Sequence, residues 1–382
     1  MSIPRRGAWP CAPTALIVLI TLMLLAGCYP PTPYPTPTPR PMPTPEPLVP
    51  TPLVAHPLTP VPTRSVRLTP MPLDEALPER WRFGVGVALG DITNYDLSLL
   101  LPGWYLDWRV ANPPPETPGV EYAPMVRIQE DGFRPDAEAI LAAVDAMPGA
   151  LWLLGNEPDV RWQDNTTPEA YARHYHTLYT LIKGRDPTAR IAIAGVSQPT
   201  ALRLRYLDRV LAAYEEMYGE PMPVDVWNVH GFILREEANS WGVGIPPGFD
   251  DTHGELYEIE DHDDLEIFQR QIIGFRYWMW MRGQRDKPLI VSEYGILMPP
   301  EYGFPPEAVR DFMWGTFDFF LSARDEELGY PEDDYRLVQR WCWYSLADTV
   351  YPTSNLFDPK TRTITPLGEA FGEYIRRLDK RQ

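Results

Sequence analysis

Short apolar runs rich in β-branched and aromatic residues alternate with amphipathic helical patterns along most of this 382-residue chain. Eight runs are predicted to be strands: 82–88, 104–109, 122–128, 150–155, 190–195, 224–230, 288–293 and 340–346. Six helices are predicted between and after them: 135–147, 168–184, 200–218, 263–282, 305–323 and 366–379. Strict alternation implies parallel strands. Eight units in residues 73–382 predict an α/β fold, a single (β/α)8 TIM barrel.

The N-terminal segment predicts export. Arg5 and Arg6 precede an apolar run at 14–26, which is short for a membrane span, so residues 1–27 are interpreted as a signal peptide. The run ends in Leu-Ala-Gly-Cys28, which resembles the lipobox of bacterial lipoproteins. That resemblance implies that Cys28 is lipidated and holds the protein at the outer face of a membrane or at the cell surface. An uncleaved N-terminal anchor is the alternative.

Residues 28–72 predict a disordered, extended spacer. They contain 17 prolines in 45 positions, largely in a Pro-Thr alternation. Proline fixes φ and removes a backbone donor, so this composition favours polyproline II over packed structure. At about 3.1 Å per residue, the spacer could hold a domain on the order of 100 Å from its anchor.

Charge and cysteine content narrow the possible partners. The formal charge is −18, and because residues 1–72 are net positive the remaining 310 residues carry −22. So acidic a domain repels phosphate backbones, which excludes nucleic acid as an expected partner and favours a neutral substrate. Three cysteines cannot form the disulfide framework of a small secreted protein.

Polar and aromatic residues cluster where the predicted strands end, and in a (β/α)8 barrel those ends form the active face. They are Asp107-Trp108-Arg109, Asn156-Glu157, His230, Glu293-Tyr294 and Trp343. Glu157 and Glu293 follow the fourth and seventh strands, so a barrel would bring them together across its mouth. Two neighbouring carboxylates push their pKa values apart, which suits one to donate a proton and the other to remain ionised. Cleavage of a glycosidic bond uses such a pair.

These motifs resemble clan A of the glycoside hydrolases. The segments that carry the resemblance read WLLGNEPD and, later, IVSEYG. Four further segments are similar to glycoside hydrolase family 128, which contains endo-β-1,3-glucanases: WYLDW at 104–108, GVEYAPM at 119–125, LGNEPDV at 154–160 and DVWNVHGF at 225–232. The resemblance covers residues 82–350 and implies a retaining enzyme that cleaves a polysaccharide, with β-1,3-glucan as one candidate.

The resemblance also implies roles for single residues. Glu157 matches the acid/base and Glu293 the nucleophile, while Asn156 matches the asparagine that holds the sugar 2-hydroxyl. His230 matches a histidine near the reacting sugar, and Trp343 matches the aromatic residue that stacks under that sugar. Trp108 and Tyr294, which lie at predicted strand ends, are also predicted to bind substrate. Two positions depart from the pattern. Phe232 stands where the clan often has a tyrosine that contacts the nucleophile, for which Tyr294 could substitute, and Asp107 stands where the family tends to have asparagine.

Other interpretations stay open at this level. Asn156 could cap a helix, and Trp343 could pack in the core. The acidic run at 261–264 precedes a predicted helix and is interpreted as its cap, so no metal or other cofactor is expected. A non-catalytic carbohydrate-binding or wall-associated barrel is the alternative function, although such a protein need not keep both glutamates.

Overall fold

The structure is a computed structural model that describes residues 79–379. Ten strands are present: β1 Phe83–Gly86, β2 Trp104–Leu106, β3 Glu121–Tyr122, β4 Met125–Gln129, β5 Gly132–Arg134, β6 Leu151–Asn156, β7 Arg190–Gly195, β8 Trp227–His230, β9 Leu289–Tyr294 and β10 Arg340–Trp343. Seven α-helices accompany them: α1 Leu97–Leu100, α2 Ala137–Ala146, α3 Pro168–Arg185, α4 Ala201–Tyr218, α5 Leu265–Met281, α6 Pro306–Ser322 and α7 Pro366–Asp379. Short 3-10 turns cover Glu79–Arg82, Ile92–Asn94, Ile259–Asp263, Pro300–Tyr302, Pro331–Asp333 and Pro352–Ser354.

The strands form two hydrogen-bonded sheets that are parallel apart from one hairpin. The larger sheet has the order β3-β2-β1-β10-β9-β8, and the smaller has the order β5-β4-β6-β7. Only β5 pairs antiparallel, with β4. The chain therefore has the predicted α/β class with parallel strands.

Two local connections join the sheets. Strands β3 and β4 are separated only by Ala123 and Pro124, which form backbone hydrogen bonds to the neighbouring strands β2 and β6. The Ala123 N–H donates to Tyr105 O, and the Leu153 N–H donates to Pro124 O. At the other boundary, Ala192 of β7 forms an isolated parallel bridge with Val226, just before β8. Neighbouring strands are thus linked all the way from β1 to β10, and β10 pairs with β1.

The core has two parts because successive side chains of a strand point to opposite faces. On β6, Trp152 and Leu154 pack in the large cluster that includes the helices. Leu151 and Leu153 belong to a smaller cluster drawn mainly from the strands, together with residues such as Trp104, Met125, Ile290 and Cys342. The strands therefore bury apolar side chains on both faces, as parallel strands covered by helices do.

Helix boundaries follow local capping chemistry. Helix α3 starts after Thr167, whose hydroxyl accepts from the Ala170 N–H. Helix α5 starts after Asp264, whose carboxylate accepts from the Ile267 N–H at 2.9 Å. The acidic run at 261–264 therefore ends in the predicted cap.

All six predicted helices and all eight predicted strands are confirmed to within three residues at their ends, apart from the interruption between β3 and β4. The short helix α1 and the strand β5 were not predicted. The predicted signal peptide (1–27), the spacer (28–72) and the lipidation site Cys28 lie outside the described residues. In residues 79–379, no helix is long and apolar enough to cross a membrane.

Candidate active site

Three buried polar side chains meet where β6, β8 and β9 end. Glu157 directly follows β6, His230 is the last residue of β8, and Glu293 lies next to the end of β9. Both glutamates are 7% exposed and the histidine is fully buried. Glu157 has a φ of +43°, in the left-handed region that non-glycine residues rarely adopt. Residues in such conformations persist where the surroundings fix them, often at functional sites.

The imidazole of His230 lies between the two carboxylates. Its Nδ1 is 3.0 Å from Glu157 Oε1, and its Nε2 is 3.6 Å from Glu293 Oε1. One ring therefore spans the gap between the carboxylates, which places them within roughly 9.5 Å of each other, the upper limit of inverting glycosidase pairs; retaining pairs lie about 5–5.5 Å apart. The structure brings Glu157 and Glu293 together, and His230 faces the two glutamates and is fully buried.

Trp108 supplies a hydrogen bond to the second carboxylate. Its indole Nε1–H donates to Glu293 Oε1 at 2.7 Å. Trp108 has a φ of +56°, and its ring lies against Gly86, where a Cβ atom would come within 2.8 Å of it. A glycine at this point of β1 is therefore required for the indole to reach Glu293.

Burial and charge shift proton affinities in this cluster. Burial raises the pKa of Glu293 to about 7; the charge of His230 opposes this rise, and the charge of Glu157 adds to it. Burial lowers the pKa of His230, but Glu293 and Glu157 raise it by more, so the net shift is upward. Burial therefore keeps a proton on Glu293 up to near neutral pH.

Asn156 lies beside Glu157 with an unused acceptor. It is 1% exposed, and its side-chain Oδ1 has no hydrogen-bond partner. Its backbone N–H donates to Asp164 Oδ2 at 2.6 Å, and the same carboxylate accepts from Arg127 Nε. Asn156 ends a strand and does not cap a helix, and its orphaned oxygen could accept a hydroxyl proton from a ligand.

A buried ionic network supports the loop that follows Glu157. Arg203 of α4 donates to Asp159 Oδ2 at 2.9 Å and also pairs with Glu236, and all three side chains are fully buried. Ser197 Oγ donates to Asp159 at 2.7 Å. Glu236 also accepts from the Glu255 N–H. The network ties the loops after β6, β7 and β8 to one helix.

Two predicted substrate-binding residues lie elsewhere. Trp343 is fully buried in the large core cluster, and its indole N–H donates to Ser354 O at 2.9 Å. Tyr294 is also fully buried, with its ring 5.2 Å from that of Trp343. In this structure neither side chain presents a face to a ligand. Tyr294 does not replace the tyrosine absent at Phe232 either, because Trp108 makes the contact to Glu293.

Tyr344, directly after β10, is an aromatic residue near the site that the sequence did not predict. It directly follows Trp343, is partly exposed, and its ring centroid lies 5.6 Å from that of Trp108. Its hydroxyl donates to Asp348. The signal was present in the alternation of β10: Trp341 and Trp343 share the outward, core-facing side, so the next residue is the one that reaches the site.

Acidic residues are numerous, but in the part of the chain that is described no three His, Cys, Asp or Glu side chains are grouped to hold a metal ion. The polar groups described at the site are two carboxylates, an imidazole, an indole N–H and an amide oxygen.

Residues 96–241 match the family model described as the glycosyl hydrolase catalytic core. This range contains Trp108, Asn156, Glu157 and His230. No curated protein sequence matches the chain.

Solved structures share the fold at low sequence identity. A family 128 (subgroup II) endo-β-1,3-glucanase from Pseudomonas viridiflava is 17% identical, with a TM-score of 0.52 over 76% of this chain and 96% of that one. A subgroup III curdlan-specific exo-β-1,3-glucanase from Blastomyces gilchristii, in complex with glucose, is 20% identical, with a TM-score of 0.51 over 78% and 99%. A subgroup I endo-β-1,3-glucanase from Amycolatopsis mediterranei, in complex with laminaritriose, is 17% identical, with a TM-score of 0.51 over 76% and 98%.

The family match and the site geometry agree on the chemistry. The matched range supplies one of the two carboxylates, and β9 supplies the other within reach of the same imidazole. Residues 96–241 thus match the glycosyl hydrolase catalytic core, and the chain is a glycosidase whose fold is similar to that of glycoside hydrolase family 128 enzymes.

Proposed function

We propose that the protein is a retaining glycoside hydrolase that cleaves a polysaccharide, with β-1,3-glucan as the first substrate to test. The observation that carries the proposal is the pair of buried glutamates that share one imidazole. The glucanase activity of the similar structures supports the choice of substrate.

The eight parallel strand positions support the barrel that such enzymes use. Taking β3 and β4 as one interrupted strand, every neighbour pairs in sequence order and β10 returns to β1. We infer a (β/α)8 barrel whose active face lies at the carboxyl ends of the strands. Glu157 and Glu293 then face each other across its mouth.

Roles follow from the contacts of each carboxylate. Glu293 accepts from Trp108 and faces His230 Nε2, and both donors oppose the rise in its pKa that burial causes. We therefore assign it the attack on the anomeric carbon once it is ionised. Glu157 contacts only the Nδ1 edge of the ring and gives its proton to the leaving oxygen. In the second step Glu157 takes a proton from the attacking water, and the Glu293–sugar ester is released.

Asn156 would hold the reacting sugar. Its buried Oδ1 has no partner in the protein and could accept the sugar 2-hydroxyl proton. An unsatisfied buried acceptor costs roughly 1–3 kcal/mol, so filling it on binding is favourable.

The N-terminal sequence supports a location for this activity. With a signal peptide at 1–27, a lipidated Cys28 and a proline-rich spacer, the catalytic domain would work outside the cytoplasm while tethered to a bacterial membrane.

The experiment assays the full chain on β-1,3-glucan, mannan, xylan and cellulose, and follows the anomeric configuration of the first products by NMR. Retained configuration is expected; inverted products would contradict the double displacement. Glu293→Ala should abolish turnover, and added azide should give a glycosyl azide of inverted configuration.

Glu157→Ala should impair substrates with poor leaving groups far more than activated aryl glycosides, because the latter need little protonation. Azide should restore its second step with retained configuration. Glu301→Gln is the matched control, since this exposed carboxylate lies in the loop after β9. Near-normal activity of both alanine variants would overturn the assignment, and activity on none of the four polymers would overturn the substrate class.

A further inference from the structure

His230 faces both glutamates, one with each ring nitrogen. Its Nδ1 faces Glu157 at 3.0 Å, within hydrogen-bond range. Its Nε2 faces Glu293 at 3.6 Å and has no other partner. Hydrogen bonds at a catalytic site are often long without substrate and shorten in the complex.

The ring is held in this orientation by its surroundings. A Cβ atom on Gly195 would come within 2.4 Å of the ring carbon Cδ2, so the imidazole packs directly on the backbone of β7. The rings of Phe232 and His230 pack edge to face, with their centroids 6.1 Å apart. His230 is fully buried, so water cannot replace either carboxylate as a partner.

The donor and acceptor count restricts where protons can lie. A neutral imidazole has one N–H and one lone pair, so facing two carboxylates it satisfies both only if one of them is protonated. A cationic ring donates to two ionised carboxylates. Either way the three groups share two protons and carry a net charge of −1.

Other charged groups do not change this balance. Glu157 approaches the ring from the end of β6 and Glu293 from β9, while Asp159 acts on it from the loop after β6. The charge of Asp159 is paired with Arg203. Arg127 acts on Glu293, at longer range than Trp108.

We propose that His230 is a positioning residue that couples the protonation of Glu157 to the ionisation of Glu293, with one proton kept on Nε2 toward Glu293 and one shared between Nδ1 and Glu157. This inference rests on the proposed function. During the first step the leaving oxygen keeps the electron pair of the broken C–O bond and takes the proton that Nδ1 and Glu157 share. A Glu293 electron pair forms the bond to the anomeric carbon, and the Nε2 proton stays on the ring.

The coupling predicts a change in the pH profile and not only in rate. The lone pair on Nδ1 stabilises protonated Glu157, and the Nε2–H stabilises ionised Glu293, so the ring holds the two limbs of the kcat/KM profile apart. His230→Met fills similar volume without a ring donor, and should bring the limbs together by about one pH unit or more. His230→Gln retains one donor and one acceptor, and should recover part of the width.

His262→Met is the matched control. His262 is also buried, at 1% exposure, but its two ring nitrogens bond to backbone groups, Ile233 O at 2.8 Å and the Leu297 N–H at 2.9 Å. Its substitution should leave both limbs in place. Unchanged limbs in His230→Met, with only a lower rate, would overturn the coupling.

A second measurement does not depend on activity. Nitrogen-15 NMR of the full-length wild-type protein at pH 8, above the Glu293 pKa of about 7, should show a protonated Nε2, with His230 assigned from the signal missing in His230→Gln. An unprotonated Nε2 would overturn the proposal even if every variant misfolds. If Nε2 is protonated but Glu157→Ala and Glu293→Ala keep full activity, the proton placement stands and the proposed function fails.

Discussion

The indole N–H of Trp108 donates to Glu293 Oε1 at 2.7 Å, and so joins the end of β2 to the end of β9. It supplies the donor that the clan's tyrosine, absent at Phe232, would have given. A hydrogen bond to a charged acceptor contributes about 1.5–3 kcal/mol.

Trp108→Phe keeps the ring but removes this donor. We expect kcat to fall by roughly 10–100-fold with little change in KM, because the lost bond orients the carboxylate that we propose as the nucleophile. Trp314→Phe is the control, since its indole N–H bonds to Ala370 O on the helical layer. Steady-state kinetics on one aryl glycoside decide the matter: equal activity of the two variants would show that the Trp108 bond is unimportant.

Glu293→Gln should stabilise the protein, and more so at higher pH. The native pKa of Glu293 is about 7, above its usual value of 4.5, so the folded state holds a proton that the unfolded state has lost between these values. Stability from this group is complete below about pH 4.5 and is lost as pH rises through 7. Glutamine carries no charge to bury.

The stability gain for Glu293→Gln should therefore grow from near zero at pH 4 to about 3 kcal/mol at pH 8. Chemical denaturation at several pH values measures it, and Glu301→Gln, an exposed change, should show no such trend. A gain that does not vary with pH would contradict the raised pKa.

Arg203→Met should destabilise the folded protein strongly, because the substitution leaves the carboxylates of Asp159 and Glu236 buried without their cation. Removing one partner of a buried ion pair lowers the free energy of unfolding by about 3–5 kcal/mol. We expect Tm to fall by on the order of 10 °C. Arg205→Met on the same helix is the control, because its pair with Asp251 is about half exposed and contributes at most about 1 kcal/mol. Equal shifts in Tm for both variants would refute a structural role for the buried network.

Trp162→Ala should weaken binding of long chains. This side chain is 73% exposed in the loop after β6, five residues beyond Glu157. Aromatic stacking contributes about 0.5–1.5 kcal/mol, so KM on a polysaccharide should rise roughly 2–10-fold, with aryl glycosides unaffected. Trp280→Ala is the control because Trp280 lies near the end of α5, before β9 begins. The same KM for both variants on the polymer would exclude Trp162 from the binding surface.

Cys28→Ser tests the anchor. If Cys28 carries the lipid, the variant should leave the membrane fraction or accumulate as the uncleaved precursor. Membrane fractionation and intact mass measure this. An unchanged distribution and mature mass would rule out lipidation at this residue.

The sequence by itself determined the order and type of the elements. Period-two and helical patterns are local, and every long segment that showed one forms the predicted element. It also determined the two glutamates, because Asn156-Glu157 and Glu293 lie at the ends of strongly patterned strands, and parallel strands bring such ends to one edge.

Tertiary structure decided which side chains share the site. Trp343 stays on the core side of β10 together with Trp341, while Tyr344 reaches the site. Between β8 and β9 the register shifts, so that Val229 pairs with Val291 but His230 pairs with Glu293. That one-residue shift turns Glu293 toward His230 and leaves Tyr294 in the core.

The same reason applies to the contacts that no local pattern could predict. Trp108 and Glu293 are 185 residues apart in the sequence, and Asp159 and Arg203 are 44 residues apart. Periodicity specifies which face of an element is apolar, whereas partners in a buried polar network depend on strand register and loop paths. Register is set by packing across the whole sheet, so only the folded chain shows that one imidazole faces both carboxylates.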